Sequence, residues 1–375
     1  MKHNLLASKK ASIIVPLQGL RGLSFMGIFL SHTGISLFSS LGPGGVSVFL
    51  ILSGFLMTMN YFEKSRIEKY SMVDNIKFAW SKIKRLYPLH VVTMIIAIPL
   101  AVKGISTSGI GSLLIKIALS ITLLQSFVPD SAVYYSLNAV AWYLSVCKFI
   151  YFCFPWILRL CEKYNTRSFE GKGIVFIWLI LVLISFLASK VDVSISDGFT
   201  KWFVYVFPMT RLIDFISGCF LGVMYIKRDA GSYKMTPIIS KCIIYLSLIL
   251  IIIACITFTV VNPDDLDLRH PELWWRYTVI FLIPNAMLIY MLALHEDNIL
   301  TKVLSTKLLI WIGNLSGSAF LIHQLVLRYC NIATGFLKLN GTVWMIFNKI
   351  IIPFLITIAA CVIWEKLAKI IRFKH

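Results

Sequence analysis

An arginine and a histidine stand eleven residues apart in the first apolar stretch of the chain. Arg21 and His32 lie in LQGLRGLSFMGIFLSHTG, which is otherwise uncharged. Eleven residues turn an α-helix through about 1100°, so both side chains share one face, about 16 Å apart along its axis. Ionisable residues inside a membrane span usually face a cavity or a partner. We therefore favour a functional pair over an interhelical hydrogen bond and an arginine that reaches the membrane surface.

The two side chains suit different parts of a long anionic acyl donor. A guanidinium such as that of Arg21 holds phosphate oxygens by paired hydrogen bonds. A neutral imidazole, which apolar surroundings favour, can accept the proton of an attacking hydroxyl. Acyl-coenzyme A has phosphates at one end and a reactive acyl group at the end of an extended arm. The residues therefore predict His32 as general base and Arg21 as a donor-binding residue.

The composition predicts that this pair lies in a membrane protein. The 375 residues are 58% hydrophobic and 14% charged, whereas soluble domains carry about 25% charged residues. Long apolar runs predict an all-α, polytopic bundle of transmembrane helices. The net charge of +19 is concentrated in short loops, where it indicates membrane topology rather than nucleic-acid binding. Such loops also favour anionic lipid or an anionic ligand on the cytoplasmic side.

Eleven apolar segments predict the membrane-embedded helices. They are 17–38, 44–62, 86–102, 112–128, 139–158, 173–189, 203–226, 242–261, 274–293, 308–329 and 343–364. The basic loops 63–85, 159–172 and 227–241 and the basic chain ends are expected in the cytoplasm, and the acidic loop 262–272 outside. Three apolar segments separate the first two basic loops. If both loops are cytoplasmic, an even number of these segments must cross the membrane, so one of the three must be re-entrant, interfacial or buried without crossing. We therefore expect about ten spans, both termini cytoplasmic, and a cavity in this region.

The same pattern divides the chain into two parts. Residues 1–16 are basic but lack the apolar core and cleavage site of a secretory signal, so they are expected to form a cytoplasmic tail. Residues 17–371 are expected to form one membrane-embedded domain. The eight cysteines include no CxxC pair and suit packing rather than disulfides. No metal motif occurs, so neither a metal nor a permanently bound cofactor is expected.

The stretch around Arg21 and His32 resembles the opening of the acyltransferase 3 family, integral-membrane O-acyltransferases of bacterial surface polysaccharides. That opening is an Arg, ten residues and a His, usually within Asp-Gly-Leu-Arg-Gly. Five further stretches look like family spans in the family's order: GPGGVSVFLILSGFLMT (42–58), SKIKRLYPLH (81–90), AWYLSVCKFIYFCFP (141–155), RLIDFISGCFLGVMY (211–225) and IGNLSGSAFLIHQ (312–324). Each is weak alone, but six in order are specific.

Three residues depart from the family pattern. Gln18 stands where the family often has Asp, Cys147 where many members have Glu, and Gly317 where Tyr is frequent. If a carboxylate at either of the first two positions orients a catalytic group, this chain must work without it. The departures therefore bear on the roles of individual residues more than on the reaction.

The resemblance implies an enzyme of the bacterial inner membrane. It would transfer an acyl group, most often acetyl, from acyl-coenzyme A to a hydroxyl of O-antigen lipopolysaccharide, capsule or exopolysaccharide, either lipid-linked or polymeric. Direct transfer and an acyl-enzyme on Ser or Cys both remain open. Two other classes compete, a glycan polymerase or flippase and a small-molecule transporter. Short predicted external loops disfavour the first, and the lack of paired Gly/Pro-broken repeats disfavours the second.

Two groups of residues are candidates for substrate binding. Lys82, Lys84 and Arg85 precede LYPLH; the family match suggests that they contact coenzyme A phosphates, and a positive-inside anchor is an equal alternative. Trp142, Tyr143 and Ser145 begin the fifth apolar segment. They suit either an interfacial aromatic belt or a platform on which an acceptor sugar stacks.

Three further residues are secondary candidates. Ser53 and its neighbour Gly54 favour close helix packing over a broken helix that lines the cavity. Arg211 lies three residues before Asp214, so a structural ion pair on one helix face is favoured. His323 is the other deeply placed histidine, and we favour an interhelical hydrogen bond over a catalytic role for it.

Overall fold

The structure is a computed structural model that describes residues 14–62, 71–101, 105–163, 169–188, 201–228, 236–260, 277, 279–294, 298–337, 344 and 346–373. Within these ranges all regular secondary structure is helical, which confirms the predicted all-α class. In chain order the α-helices are α1 (Val15–Ser31), α2 (Leu41–Tyr61), α3 (Met72–Ile83), α4 (Tyr87–Ala101), α5 (Ile105–Thr122), α6 (Ser131–Tyr134), α7 (Trp142–Lys163), α8 (Phe169–Ala188), α9 (Pro208–Lys227), α10 (Pro237–Val260), α11 (Ile280–Leu294), α12 (Ile299–Leu304), α13 (Lys307–Leu337) and α14 (Ile352–Phe373).

Each of the eleven predicted apolar segments overlaps a helix. Six helical segments of the described chain are long and apolar enough to cross a membrane: Ser36–Tyr61, Ala139–Lys163, Trp202–Lys227, Ile238–Phe258, Lys307–Gly335 and Phe347–Ile370. A seventh arises if α3 and α4 form one span. The fold is therefore that of a multi-pass membrane protein, while the count of about ten spans and the cytoplasmic termini stay predictions.

A sharp bend lies where the first basic loop meets the first of the three apolar segments that follow it. α3 and α4 meet at 67°. The break falls just before Pro88, which lacks the N–H that a continuing helix needs. The next helix, α5, is interrupted at Gly109, where φ is 75° and ψ is 161°, a conformation that glycine adopts readily. The bent pair and the short apolar part of α5 are thus the segments that differ most from simple spans.

Glycines hold α1 directly against the backbone of α12 and α13. A β-carbon at Gly19 would overlap the carbonyl oxygen of Leu304, and one at Gly22 would overlap that of Leu309. On the opposite helix, a β-carbon at Gly313 would overlap the carbonyl oxygen of Gln18. Small residues of this kind allow two helix backbones to touch. The contact therefore fixes the rotation and depth of the helix that carries Arg21 and His32.

A second close contact joins α2 to α9. β-Carbons at Gly54 and Gly218 would overlap backbone carbonyl oxygens of the facing helix. α2 runs as a helix from Leu41 to Tyr61, so the packing interpretation of Ser53 and Gly54 fits and a broken helix is absent there. Arg211 and Asp214 form a fully buried ion pair at 3.1 Å, as favoured from their spacing. This ion pair belongs to the same interface, because Ser47 of α2 donates to Asp214 at 2.9 Å.

Candidate active site

A cavity of about 310 Å³ lies beside the first half of α1, and we call it the Arg21 cavity. Its walls come from α1, α2, the α3–α4 junction, α7 and α13. Among the predicted site residues it is lined by Arg21, Ser53, Lys82 and Tyr143. From the region that the odd number of apolar segments singled out, Leu86 and α7 border this cavity, whereas no described residue of α5 does.

The Arg21 cavity is positively charged. Arg21 is partly buried, and no described carboxylate forms an ion pair with it or with Lys82. Lys82 donates to the hydroxyl of Tyr61 and lies 4.9 Å from the ring centroid of Phe78. Cations that have no carboxylate partner in a partly enclosed cavity attract an anionic ligand. The charge of this cavity therefore suits an anionic ligand.

The departures from the family pattern lie in or beside the Arg21 cavity. Cys147 and Gly317 line it, and a β-carbon at Gly317 would meet Leu86 only at 3.5 Å. A side chain would therefore fit at this position, and its absence leaves the cavity wider. Gln18 donates its side-chain amide to the Asn314 oxygen at 2.8 Å. A neutral contact between α1 and α13 thus stands where the family often has a carboxylate.

A second cavity, of about 620 Å³, lies beside the carboxyl end of α1, and we call it the His32 cavity. His32 caps α1, and its side chain is exposed to this cavity. Aromatic and polar side chains line much of the rest, among them Tyr135, Trp142, Lys201, Tyr205, Tyr277 and Gln324. Aromatic faces with a few hydrogen-bonding groups suit a carbohydrate, which has both apolar C–H faces and hydroxyls.

Hydrogen bonds define the tautomers of His32 and His323. His32 Nδ1 lies 2.8 Å from the carbonyl oxygen of Ile28, and His323 Nδ1 lies 2.8 Å from that of Phe320. A carbonyl only accepts, so both Nδ1 atoms carry the proton and both Nε2 atoms carry a lone pair. His323 Nε2 then accepts a long hydrogen bond from His32 Nδ1, at 3.4 Å. This arrangement leaves His32 Nε2 as the basic atom available to the cavity.

Not every predicted binding residue lines a cavity. Lys84 and Arg85 are exposed, and Arg85 pairs with Glu365 of α14 at 3.1 Å. Neither lines the Arg21 cavity, unlike Lys82. Ser145 is buried and hydrogen-bonds Ser126 at 2.6 Å and the carbonyl oxygen of Leu123 at 2.8 Å. These contacts give Ser145 a packing role and give Arg85 a part in joining α14 to the α3–α4 junction.

The predicted sugar platform is divided between the cavities. Trp142 lines the His32 cavity and Tyr143 the Arg21 cavity, although they are adjacent in sequence. The residues that sequence reasoning missed are Phe320, Lys201, Tyr205 and Gln324. Phe320 stands three residues before His323, on the same helix face, and this spacing could have revealed it. Within the described residues no group of three or more His, Cys, Asp or Glu side chains is placed to hold a metal.

Comparisons with known proteins agree on one family. The sequence model of the acyltransferase 3 family, described as an acyltransferase domain, matches residues 15–364. The chain is 26% identical over 334 residues to Acyltransferase MdmB of Streptomyces mycarofaciens, which covers 84% of this chain and 79% of that protein. It is 25% identical over 335 residues to O-acetyltransferase OatA of Staphylococcus aureus, which covers 84% of this chain and 51% of that protein.

A further relative is Peptidoglycan O-acetyltransferase OatA of Listeria monocytogenes, 23% identical over 338 residues, with 86% of this chain and 50% of that protein covered. The chain therefore spans about half the length of the two OatA proteins. No solved structure matches significantly. The family match extends over α1 to most of α14 and includes both cavities. The chain therefore belongs to the acyltransferase 3 family and is an acyltransferase.

Proposed function

We propose that the protein is an O-acetyltransferase that moves acetyl from acetyl-coenzyme A to a hydroxyl of a surface polysaccharide. The observation that carries this proposal is the position of two different cavities on one helix. Arg21 lines a positively charged cavity, and His32 lines a second cavity that is rich in aromatic side chains. The names of the OatA relatives support acetyl as the acyl group and a cell-surface glycan as the acceptor class.

In this proposal the donor lies along α1. Its phosphates contact Arg21 and Lys82, with the guanidinium binding two phosphate oxygens at once. The extended arm carries the thioester toward the carboxyl end of α1, about 16 Å away for eleven helical residues. Coenzyme A is a substrate here and leaves after each turnover, so no permanently bound cofactor is required.

Transfer then follows as a direct attack on the thioester. The acceptor sugar stacks on rings of the His32 cavity such as Trp142 and Tyr205. His32 Nε2 takes the hydroxyl proton as the oxygen attacks the thioester carbonyl carbon, and the C–S bond breaks. The same proton then passes to the departing thiolate of coenzyme A. His323 holds His32 in the tautomer that leaves Nε2 free to accept that proton.

We place this reaction in the bacterial inner membrane. Acetyl-coenzyme A is made in the cytoplasm, so the Arg21 cavity opens on that side, and the acceptor is a lipid-linked or polymeric glycan. No observation in the described structure favours a glycan polymerase, a flippase or a small-molecule transporter. The bilayer is the environment in this proposal, and no nucleic-acid partner is expected.

The test compares two histidine variants of the purified full-length protein. The substrates are radiolabelled acetyl-coenzyme A and surface polysaccharide from the bacterium that carries the gene, freed of esters by mild alkali. His32→Gln retains hydrogen bonding but cannot take a proton, so the rate should fall at least about 10²-fold. The matched control is His90→Gln, because His90 lies outside both cavities and its Nε2 lies 2.9 Å from the carbonyl oxygen of Ser120.

His90→Gln should retain a rate within about twofold of the wild type, since glutamine can also donate to that carbonyl. A rate for His32→Gln above about a tenth of the wild type would show that the base lies elsewhere. A wild-type protein that transfers acetyl to no polysaccharide hydroxyl would reject the proposed function itself.

A further inference from the structure

Among the described residues, the Arg21 cavity and the His32 cavity have one lining residue in common. Phe320 of α13 borders both, and only 5% of its surface is exposed. The proposed donor binds in the first cavity, whereas the proposed base lines the second. The shortest route for an acyl group from one cavity to the other therefore leads past the ring of Phe320.

Two further rings pack around Phe320 at this boundary. Its ring centroid lies 4.9 Å from that of Tyr143 and 6.3 Å from that of Phe49. The centroids of Phe49 and Tyr143 are 6.3 Å apart. These are the distances of rings in contact. The three residues, which we call the aromatic partition, come from α2, α7 and α13; Phe49 and Tyr143 line the Arg21 cavity, and Phe320 borders both cavities.

The aromatic partition also lies beside the proposed catalytic histidines. The ring of Phe320 is 5.8 Å from that of His323, and its carbonyl oxygen is the acceptor for His323 Nδ1. The backbone of Phe320 is therefore held in the helix, and its side chain stands between the rings of the aromatic partition and His323. A thioester that passes the ring arrives directly at the His32–His323 pair.

Close-packed rings limit what can pass between them. Helices α2, α7 and α13 meet here at these rings rather than in close backbone contact, so rotation of one ring is sufficient to open a gap between the cavities. Rotation of one ring creates a gap of limited width. The pantetheine arm passes the same ring, so acyl groups differ here in length rather than in width: acetyl reaches least far beyond the thioester carbonyl, and each added methylene must also be accommodated against the packed rings.

We propose that the aromatic partition, and Phe320 above all, sets the length of the acyl group that this enzyme transfers. The partition admits acetyl and discriminates against longer chains. This inference rests on the proposed function, because it takes acyl-coenzyme A as the donor in the Arg21 cavity. It assigns Phe320 to substrate specificity, whereas His32 carries the proton transfer.

The test measures kcat/KM for acetyl-, butyryl- and hexanoyl-coenzyme A with the same de-esterified polysaccharide. The variants are Phe320→Ala and Phe320→Leu in the full-length protein. One methylene in a fitted pocket changes kcat/KM by about 10- to 200-fold. Phe320→Ala should therefore raise the butyryl-to-acetyl ratio at least about tenfold, and Phe320→Leu should raise it by less.

The matched control is Phe354→Ala. Phe354 packs against Phe29 at 5.2 Å between centroids and lines neither cavity. Its truncation removes a similar ring from the protein, so it should leave the ratio within about twofold of the wild type. If the butyryl-to-acetyl ratio changes in Phe320→Ala but not in Phe354→Ala, the effect comes from the passage and not from a general loss of packing. Lower stability would reduce kcat/KM for all three donors equally.

The possible results separate this inference from the proposed function. An unchanged ratio in active Phe320→Ala and Phe320→Leu would overturn the role of the aromatic partition and leave the function intact. A wild type that uses butyryl-coenzyme A as well as acetyl-coenzyme A would do the same. If Phe320→Ala does not fold, Phe320→Leu and Tyr143→Leu decide the question. A wild type that uses none of the three donors rejects the proposed function first.

Discussion

At the scale of single residues, His32 and His323 form one unit. Their rings meet edge to face with centroids 5.0 Å apart. His323 uses both of its ring nitrogens in hydrogen bonds, to the carbonyl oxygen of Phe320 and to His32. Within the part of the chain that the structure describes, His32 uses only Nδ1. The interhelical hydrogen bond expected for His323 is thus present, and its partner is the proposed base itself.

The basic residues near the α3–α4 junction provide a prediction at the same scale. Lys82 lines the Arg21 cavity, whereas Lys84 is exposed and does not. A positive charge near the bound phosphates strengthens binding of the donor. Lys82→Gln should therefore raise KM for acetyl-coenzyme A about tenfold, and kcat should change little. Steady-state kinetics of the purified variants measures both constants.

Lys84→Gln is the matched control, since it removes the same charge two residues away. Its KM should stay within about twofold of the wild type. Equal KM values for the two variants would mean that the basic segment acts only as a positive-inside anchor. A larger effect of Lys84→Gln would contradict the placement of the donor phosphates in the Arg21 cavity.

At the scale of elements, the backbone contact of α1 with α13 provides the next prediction. A β-carbon at Gly22 would overlap Leu309, whereas one at Gly111 of α5 would meet nothing within 4 Å. Gly22→Ala should therefore overpack the interface and lower the apparent Tm by about 3 °C or more. Gly111→Ala should leave the Tm unchanged or raise it, because alanine favours a helix. Thermal unfolding in detergent tests both, and an unchanged Tm for Gly22→Ala would contradict the contact.

The elements also show how far sequence reasoning reaches. The positions of the helices follow from the apolar runs, and the shared helix face of Arg21 and His32 follows from their eleven-residue spacing. Both are local properties of the sequence. The spacing does not reveal that Arg21 and His32 line separate cavities. Phe320, which borders both cavities, comes from a helix almost 300 residues later in the chain. Lys201 was missed for a similar reason: it carries no motif, and only the packing of distant helices brings it to the His32 cavity.

At the scale of the whole molecule, the two cavities lie toward opposite ends of the bundle. α2 and α7 run side by side in the same direction, since Phe49 contacts Tyr143 and Tyr61 contacts Phe154. The far end of α2 is near Lys82, and α7 ends at Lys163. Basic residues thus collect at the end that holds the Arg21 cavity. Under the positive-inside rule this end faces the cytoplasm, where the proposed donor is made.

This orientation predicts which positions a membrane-impermeant thiol reagent can reach in intact cells. A helix of 21 residues, the length of α2, spans about 30 Å, enough to cross a bilayer core. Leu37, which is 66% exposed in the short connection between α1 and α2, should then lie outside, and Lys84 inside. In a chain freed of its own cysteines, Leu37→Cys should react in intact cells and Lys84→Cys only after lysis.

Asp265→Cys extends the same experiment to the acidic loop, and this position lies outside the described residues. The acidic charge of the loop predicts that it lies outside the cell, so Asp265→Cys should react like Leu37→Cys. The two arguments use different parts of the chain, because one places basic residues at one end of α2 and α7 and the other uses the charge of the acidic loop. If Lys84→Cys reacts in intact cells and Leu37→Cys is protected, the whole bundle has the opposite orientation in the membrane. The Arg21 cavity would then face away from cytoplasmic acetyl-coenzyme A, and the proposed direction of acyl transfer would be wrong.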